Sequence, residues 1–433
     1  MASYIITGKK ILKGSAETKT AKNSALACMC ASLLTTDAIT LREVPKIEDV
    51  RDLQEVLKSI GVKMQWNGKD LTLQSPQKLD LKKINKEKAS KIRVILLFIG
   101  ALAARIENFS LPRAGGCKLG KRTITPHLFG LEELGLTIDC DARSYAIKRS
   151  RDLKGKKIVM YESGDTSTEN VILAAVLAKG RTVIKLASAN YMVQDLCYLL
   201  TSMGAKISNI GLTTLIIDGV KKLHGATHCI VPDPIESMFW LSLAATTNSP
   251  LLIKGCPVEF LEIELLKLEK MGFKYKIVKG YKSKSGYFDL IDIKTNPSRL
   301  SALDDKIDAR PFPGLNIDNL PFFVPIATQA RGTTMIHDWC YENRSIYYME
   351  FQKLGAMVRL ADPHRVFIEG PTPLKANQVM SPPALRPATI LVIGMLAAQG
   401  TSTLYNTYSI DRGYENLYGR LKKLGADIKE VQP

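Results

Sequence analysis

Leu57-Lys58-Ser59-Ile60-Gly61, running on into Val62-Lys63-Met64, decides the fold because it is one of six similar phrases. Leu-x-x-apolar-Gly followed by alternating apolar residues returns at Leu131–Gly135, Leu200–Gly204, Leu268–Gly272, Phe351–Gly355 and Leu421–Gly425. The glycines are 74, 69, 68, 83 and 70 residues apart. Each phrase predicts an amphipathic helix closed by a glycine at the left-handed C′ position, then a strand. Between the copies runs a second phrase, an alanine-rich helix, a turn and a β-branched strand. It begins at Ala31, Gly100, Ala174, Leu243, Ile326 and Met395. A repeat of about 70 residues is too long for a solenoid unit and too short for an independent domain. Six units in two lobes of three give about 215 residues per lobe, enough for a separate core each. Alternating helix and strand makes the class α/β or α+β.

The 433 residues are too many for a single core. At 45% hydrophobic and 24% charged, the composition is globular and excludes a disordered or collagen-like chain. A formal net charge of +18 calls for an anionic partner without saying which. Eight cysteines are too sparse for a disulfide scaffold. The Cys28-x-Cys30 pair lies in an apolar helical run and reads as core. The histidines show no metal-ligating spacing, so no metal is expected. Ser3–Thr7 reads as a strand rather than a leader, and the longest apolar run, Val94–Ala104, is far short of the ~20 residues that span a bilayer. The expected compartment is the cytoplasm, with no membrane partner.

Function is sought where the sequence breaks its own repeat. Lys22-Asn23 opens an apolar helix, where a cation opposes the helix dipole unless an anion or solvent meets it. Arg113-Ala114-Gly115-Gly116-Cys117-Lys118-Leu119-Gly120-Lys121-Arg122 is a basic glycine-rich loop around one thiol, which the cations should make reactive. It lacks the spacing of a phosphate-binding P-loop. Arg93, Asp318 in Asn316-Ile317-Asp318-Asn319, Arg344 in Glu342-Asn343-Arg344, Arg386 and Arg412 in Asp411-Arg412-Gly413-Tyr414-Glu415 complete the candidates.

These motifs, from Lys22-Asn23 through Gly115-Gly-Cys-x-x-Gly-x-Arg122 and Glu342-Asn-Arg344 to Asp411-Arg-Gly-Tyr-Glu415, resemble the enolpyruvyl transferase family over nearly the whole chain. The resemblance implies a two-lobed inside-out α/β barrel. One lobe would span residues 22–231, with the catalytic loop and nucleotide-sugar contacts. The other would join 1–21 to 232–433, with the general base and phosphoenolpyruvate-binding arginines. The branch most resembled moves the enolpyruvyl group of phosphoenolpyruvate to the 3-hydroxyl of UDP-N-acetylglucosamine, the first committed step of peptidoglycan synthesis. It uses no cofactor and no obligate protein partner. The implied catalytic residues are Cys117, the proton donor that fosfomycin alkylates elsewhere in the family, Asp318 as base, Lys22 and Arg412. Asn23, Arg93, Arg122, Arg344 and Arg386 would bind substrate, and closure of the lobes would exclude water. Arginine suits a ligand with both carboxylate and phosphate because its planar fork binds either bidentately.

Three stretches depart from the family pattern: Thr123–Pro126, Gly164–Ser167 with Asp165 where a diphosphate is expected, and Asn190–Met192 in place of Glu-Pro-Glu. They put the acceptor in question more than the donor. A paralogue with another nucleotide or sugar therefore stays open, and so does a nucleic-acid-binding protein using Lys82, Lys83, Lys86 and Lys88. No RNA- or DNA-binding signature accompanies those lysines. A shikimate-pathway relative is disfavoured because that branch lacks the Gly-Gly-Cys loop.

Overall fold

All six phrase-ending glycines have positive φ: Gly61 102°, Gly135 105°, Gly204 97°, Gly272 88°, Gly355 82° and Gly425 91°. A side chain at any of them would be strained, so the chain turns from helix to strand where the sequence places glycine. In five copies the strand follows a helix of α type; before Gly355 the Ser345–Leu354 segment is a 3-10 helix instead. The computed structural model describes residues 2–115, 123–149 and 151–432.

The described residues form two compact units, one of residues 2–19 and 232–432, the other of 20–115 and 123–231. Each contains three sheets. In the second unit the strand orders are Thr227–Cys229, Ile39–Arg42, Asp70–Gln74, Lys63–Asn67; then Asn108–Pro112, Ser144–Arg149, Leu136–Cys140; then Lys206–Ser208, Thr214–Asp218, Arg181–Lys185, Lys157–Val159. Five of the six sheets share one plan: an antiparallel meander with a parallel strand added beside the strand that follows the alanine-rich helix. The Asn108–Pro112 sheet has only the three antiparallel strands among the described residues. The sixth repeat is completed by the chain's start: Ser3–Thr7 inserts between Thr401–Tyr405 and Asp427–Val431, antiparallel to both.

Within each unit the alanine-rich helices are interior and the sheets exterior. Leu97–Ala103 is buried throughout, Pro234–Thr247 from Pro234 to Thr246, and Leu385–Ala397 from Arg386 onward. A helix apolar on every side is stable only when surrounded. Sheet strands such as Asp70–Gln74 and Thr214–Asp218 alternate buried with half-buried or exposed residues, as one-sided sheets do. This is the inside-out α/β architecture expected, although the sheets stay separate and do not close on one another. At Gly100 the Leu97–Ala103 helix comes so close to Asp165–Ala175 that a Cβ would sit 2.1 Å from the Asn170 carbonyl oxygen. The Gly100 amide instead donates to Asn170 Oδ1 at 2.8 Å.

No helix among the described residues is long and apolar enough to cross a membrane. Cys28 and Cys30 are core, as expected. The fold adds what spacing could not, bringing Asp195 and His228 to Cys28, all three ligand atoms within 4.8 Å. The Asp195 oxygens are already engaged by His228 Nε2 at 2.7 Å, the Ser24 hydroxyl and the Val231 amide at 3.2 Å. Burial, then Asp195, pushes the Cys28 thiol well above its ordinary range, so it is a neutral neighbour of that latch.

Candidate active site

In the unit of residues 2–19 and 232–432, three sequence-nominated residues converge. Asp318 lies in the loop before the Leu320–Phe322 turn, its side chain 26% exposed. Arg344 Nη1 is 3.8 Å from its Oδ1 and Arg386 Nη2 is 3.7 Å from its Oδ2. These separations exceed hydrogen-bond length, so the carboxylate sits between two cations without being locked to either.

Each arginine is held by a residue to which the sequence assigned no role. Asp338 and Arg344 are both wholly buried. Asp338 Oδ2 accepts from Arg344 Nε at 2.5 Å and Oδ1 from Nη2 at 2.8 Å, a bidentate pair. The Tyr348 hydroxyl donates to Asp338 Oδ2 at 2.5 Å, Arg344 Nη2 also donates to the Ile317 carbonyl at 2.8 Å, and the Tyr341 ring centroid lies 4.6 Å from the guanidinium. Nη1 has no hydrogen-bond partner among the described residues and points toward Asp318. Burial alone would depress the Arg344 guanidinium; Tyr348 and Asp338 outweigh it and hold its pKa above the usual arginine range. Arg386, the second residue of the Leu385–Ala397 helix, donates to the Tyr414 hydroxyl at 3.1 Å. Burial pushes the neighbouring Asp233 carboxyl up to about 6 against the pull of Arg386. Arg412 is half-buried at the end of the Tyr408–Asp411 helix, two residues before Tyr414. The pairing of Asp338 with Arg344 across six residues carries no periodic signal, which is why only the fold reveals it.

In the unit of residues 20–115 and 123–231, Lys22 begins the Lys22–Ala31 helix, where its charge opposes the dipole. Asp49 answers that cost: Lys22 Nζ lies 2.7 Å from its Oδ2, and the Asp49 side chain is only 6% exposed. Asn23 is half-buried beside it. Arg93 opens the Arg93–Leu96 turn and donates to the Thr123 carbonyl at 2.9 Å. Cys117 and Arg122 lie outside the described residues.

The departures from the family pattern resolve in part into contacts with one another. Asp165 Oδ1 accepts from Ser188 Oγ at 2.5 Å and Oδ2 from Asn190 Nδ2 at 3.1 Å. Asp165 and Asn190, two of the unexpected residues, thus satisfy each other. Thr125 is tied to Thr123 by its amide at 3.1 Å and by its hydroxyl at 2.8 Å. Pro126 sits in the first turn of Thr125–Glu132, where its missing N–H costs nothing.

The unit of residues 2–19 and 232–432 thus sets a carboxylate between two arginines, charge chemistry suited to a small anion. The family model for EPSP synthase (3-phosphoshikimate 1-carboxyvinyltransferase) matches residues 6–421, and the chain belongs to that family of enolpyruvyl (carboxyvinyl) transferases. Its relatives divide more finely. It is 35% identical to the UDP-N-acetylglucosamine 1-carboxyvinyltransferase of Treponema denticola, over 99% of each chain. It is also 35% identical to the enzyme of the same name from Porphyromonas gingivalis, over 100% of each. Among solved structures, the enolpyruvyl transferase NikO from Streptomyces tendae superposes with a TM-score of 0.87 at 23% identity, covering 100% of this chain and 99% of that one. EPSP synthase from Acinetobacter baumannii follows with 0.78 at 17%, covering 100% of both. At those identities the two structures speak for the fold.

Proposed function

We propose that this chain transfers the enolpyruvyl group of phosphoenolpyruvate to the 3-hydroxyl of UDP-N-acetylglucosamine with release of phosphate, in the cytoplasm, as the entry to peptidoglycan synthesis. The full-length relatives of that name support the acceptor. The observation that carries the chemistry is Asp318 placed between the Arg344 and Arg386 guanidiniums but bonded to neither.

In this reading Asp318 takes the proton of the attacking hydroxyl, whose oxygen bonds to C2 of phosphoenolpyruvate while a proton from Cys117 reaches C3. The tetrahedral adduct then gives a methyl proton back to the Cys117 thiolate as its C2–O bond to phosphate breaks, which restores the double bond, and the proton held by Asp318 leaves with the inorganic phosphate. Arg344, Arg386, Arg412, Lys22, Arg93 and Arg122 bind the carboxylate and phosphate, whose charge shifts during both steps. Asn23 holds the sugar. These steps require no cofactor or metal. Residues 22–231 supply the thiol loop and nucleotide-sugar contacts; 1–21 and 232–433 supply the base and anion-binding arginines. A paralogue with another acceptor is the second reading, favoured by the Asp165–Asn190 pair in the stretch that departs from the family. Polyanion binding has less support: Lys83 pairs with Asp80 at 3.4 Å and Lys88 with Asp52 at 2.6 Å, so two of its lysines already have carboxylate partners.

Phosphate release from phosphoenolpyruvate with a panel of nucleotide sugars tests the proposal. Release with UDP-N-acetylglucosamine, lost in Cys117→Ser, is the expected result. Silence with every UDP-sugar would remove the acceptor, and normal turnover in Cys117→Ser would remove the thiol's acid role.

A further inference from the structure

The residues 316–319 that carry Asp318 belong to no helix or strand, yet their positions are fixed from outside by one side chain that the reaction does not use. Glu264, in the Glu262–Lys270 helix, is 1% exposed. Its Oε1 accepts from the Asn316 amide at 3.1 Å and from Asn319 Nδ2 at 2.7 Å. The same loop is closed internally: the Asp318 amide donates to Asn316 Oδ1 at 2.9 Å, and the Asn319 amide donates to the Asn316 carbonyl at 2.9 Å. Arg344 holds it a second time, through the Ile317 carbonyl at 2.8 Å. Asp318 is thus suspended between Glu264 and Arg344.

A glutamate is a costly choice at this position. Burying a carboxyl is unfavourable without full compensation, and burial pushes this one up to about 7 although Asn319 and Asn316 pull the other way. Packing alone would be met by leucine or methionine of similar length, as Leu265 and Leu268 meet it on the same helix. What glutamate adds is an oxygen that can take two hydrogen bonds at once, one from backbone and one from side chain, three residues apart in the loop.

We propose that Glu264 is a positioning residue for the proton-accepting carboxylate, its oxygen fixing the 316–319 loop and through it the reach of Asp318 toward the acceptor hydroxyl. This rests on Asp318 being the base. Misplacing a reacting group by about 1 Å costs up to about 100-fold in rate. Phosphoenolpyruvate affinity should be spared, because Arg344 and Arg386 keep their own anchors on Asp338 and Tyr414.

The test is steady-state phosphate release by the full chain in four variants, with thermal unfolding alongside. Glu264→Ala is expected to lower kcat about 10- to 100-fold while KM for phosphoenolpyruvate stays within about threefold. Glu264→Gln keeps an acceptor oxygen of the same reach and is expected to recover kcat to within about threefold of the parent. Asn319→Ala removes one of the two donors and should fall between them; with Glu264→Gln it decides the matter if Glu264→Ala does not fold. Parent-like kcat in Glu264→Ala, or Glu264→Gln no faster than Glu264→Ala, would overturn the inference. If Glu264→Ala does not fold, parent-like kcat in Asn319→Ala would overturn it as well. Parent-like turnover in Asp318→Asn would instead remove the base assignment itself, whatever the Glu264 variants do.

Discussion

Asp338 is a severe place to perturb this protein because it neutralises a cation with no access to water. Asp338→Asn keeps the shape, removes the negative charge and leaves the wholly buried Arg344 guanidinium with its bidentate partner weakened. Breaking a buried pair by removing one member costs about 3–5 kcal/mol, since the other charge stays behind uncompensated. For a folding unit of roughly 200 residues that corresponds to a fall in Tm of about 6–20 °C. Activity should suffer by a separate route. The Asp318 carboxylate is already 3.8 Å from Arg344 Nη1, and the released guanidinium will pair with it, occupying both the base and an anion-binding cation. Thermal unfolding and phosphate-release kinetics read the two effects. The double variant Asp338→Leu/Arg344→Met separates them: replacing both charges with apolar groups should return most of the stability and none of the activity. A Tm within 1–2 °C of the parent in Asp338→Asn, with kcat/KM for phosphoenolpyruvate intact, would refute the argument.

Three further outcomes follow from named contacts. Asp49→Asn weakens the charge-assisted bond that holds Lys22 at a dipole-opposed position and should cost about tenfold in kcat/KM for phosphoenolpyruvate, measured by the same assay. Asp165→Ala strips the acceptor from Ser188 and Asn190 and should lower Tm; KM for the nucleotide sugar should move less than about threefold if that carboxylate faces its protein partners rather than the ligand. Asp233 has its carboxyl pushed up from 3.8 to about 6, so the folded protein binds its proton more tightly than the unfolded chain. Its contribution is complete below about pH 4 and is lost as pH rises through 6, a change of roughly 3 kcal/mol. Asp233→Asn, which still caps Ile235 through its side-chain oxygen, should remove that decline in denaturant unfolding followed from pH 4 to 7.

Local chemistry made part of this protein legible from residues alone. A glycine at a C′ position is dictated by φ, a short-range property, so six such glycines announced six helix–strand junctions, and all six have positive φ. The alanine-rich phrases announced helices, while the inside-out arrangement was expected only through the family resemblance; the burial of those helices on every side is what the packed chain adds. The charged residues that break the repeat marked Lys22, Asp318, Arg344 and Arg386. Their partners were hidden. Asp49, Asp338 and Glu264 look like ordinary surface or helix residues in the sequence, and Tyr414 stands in the Asp411–Glu415 motif, which does not show its hydroxyl meeting Arg386, because a side chain's role depends on which group the fold brings to it. The same holds for Asp165 and Asn190, which read as two separate anomalies and prove to be one hydrogen-bonded pair. Sequence determined where the backbone must turn and which groups are out of place; tertiary structure decided what each of those groups is held by, since burial and distance are properties of the packed chain.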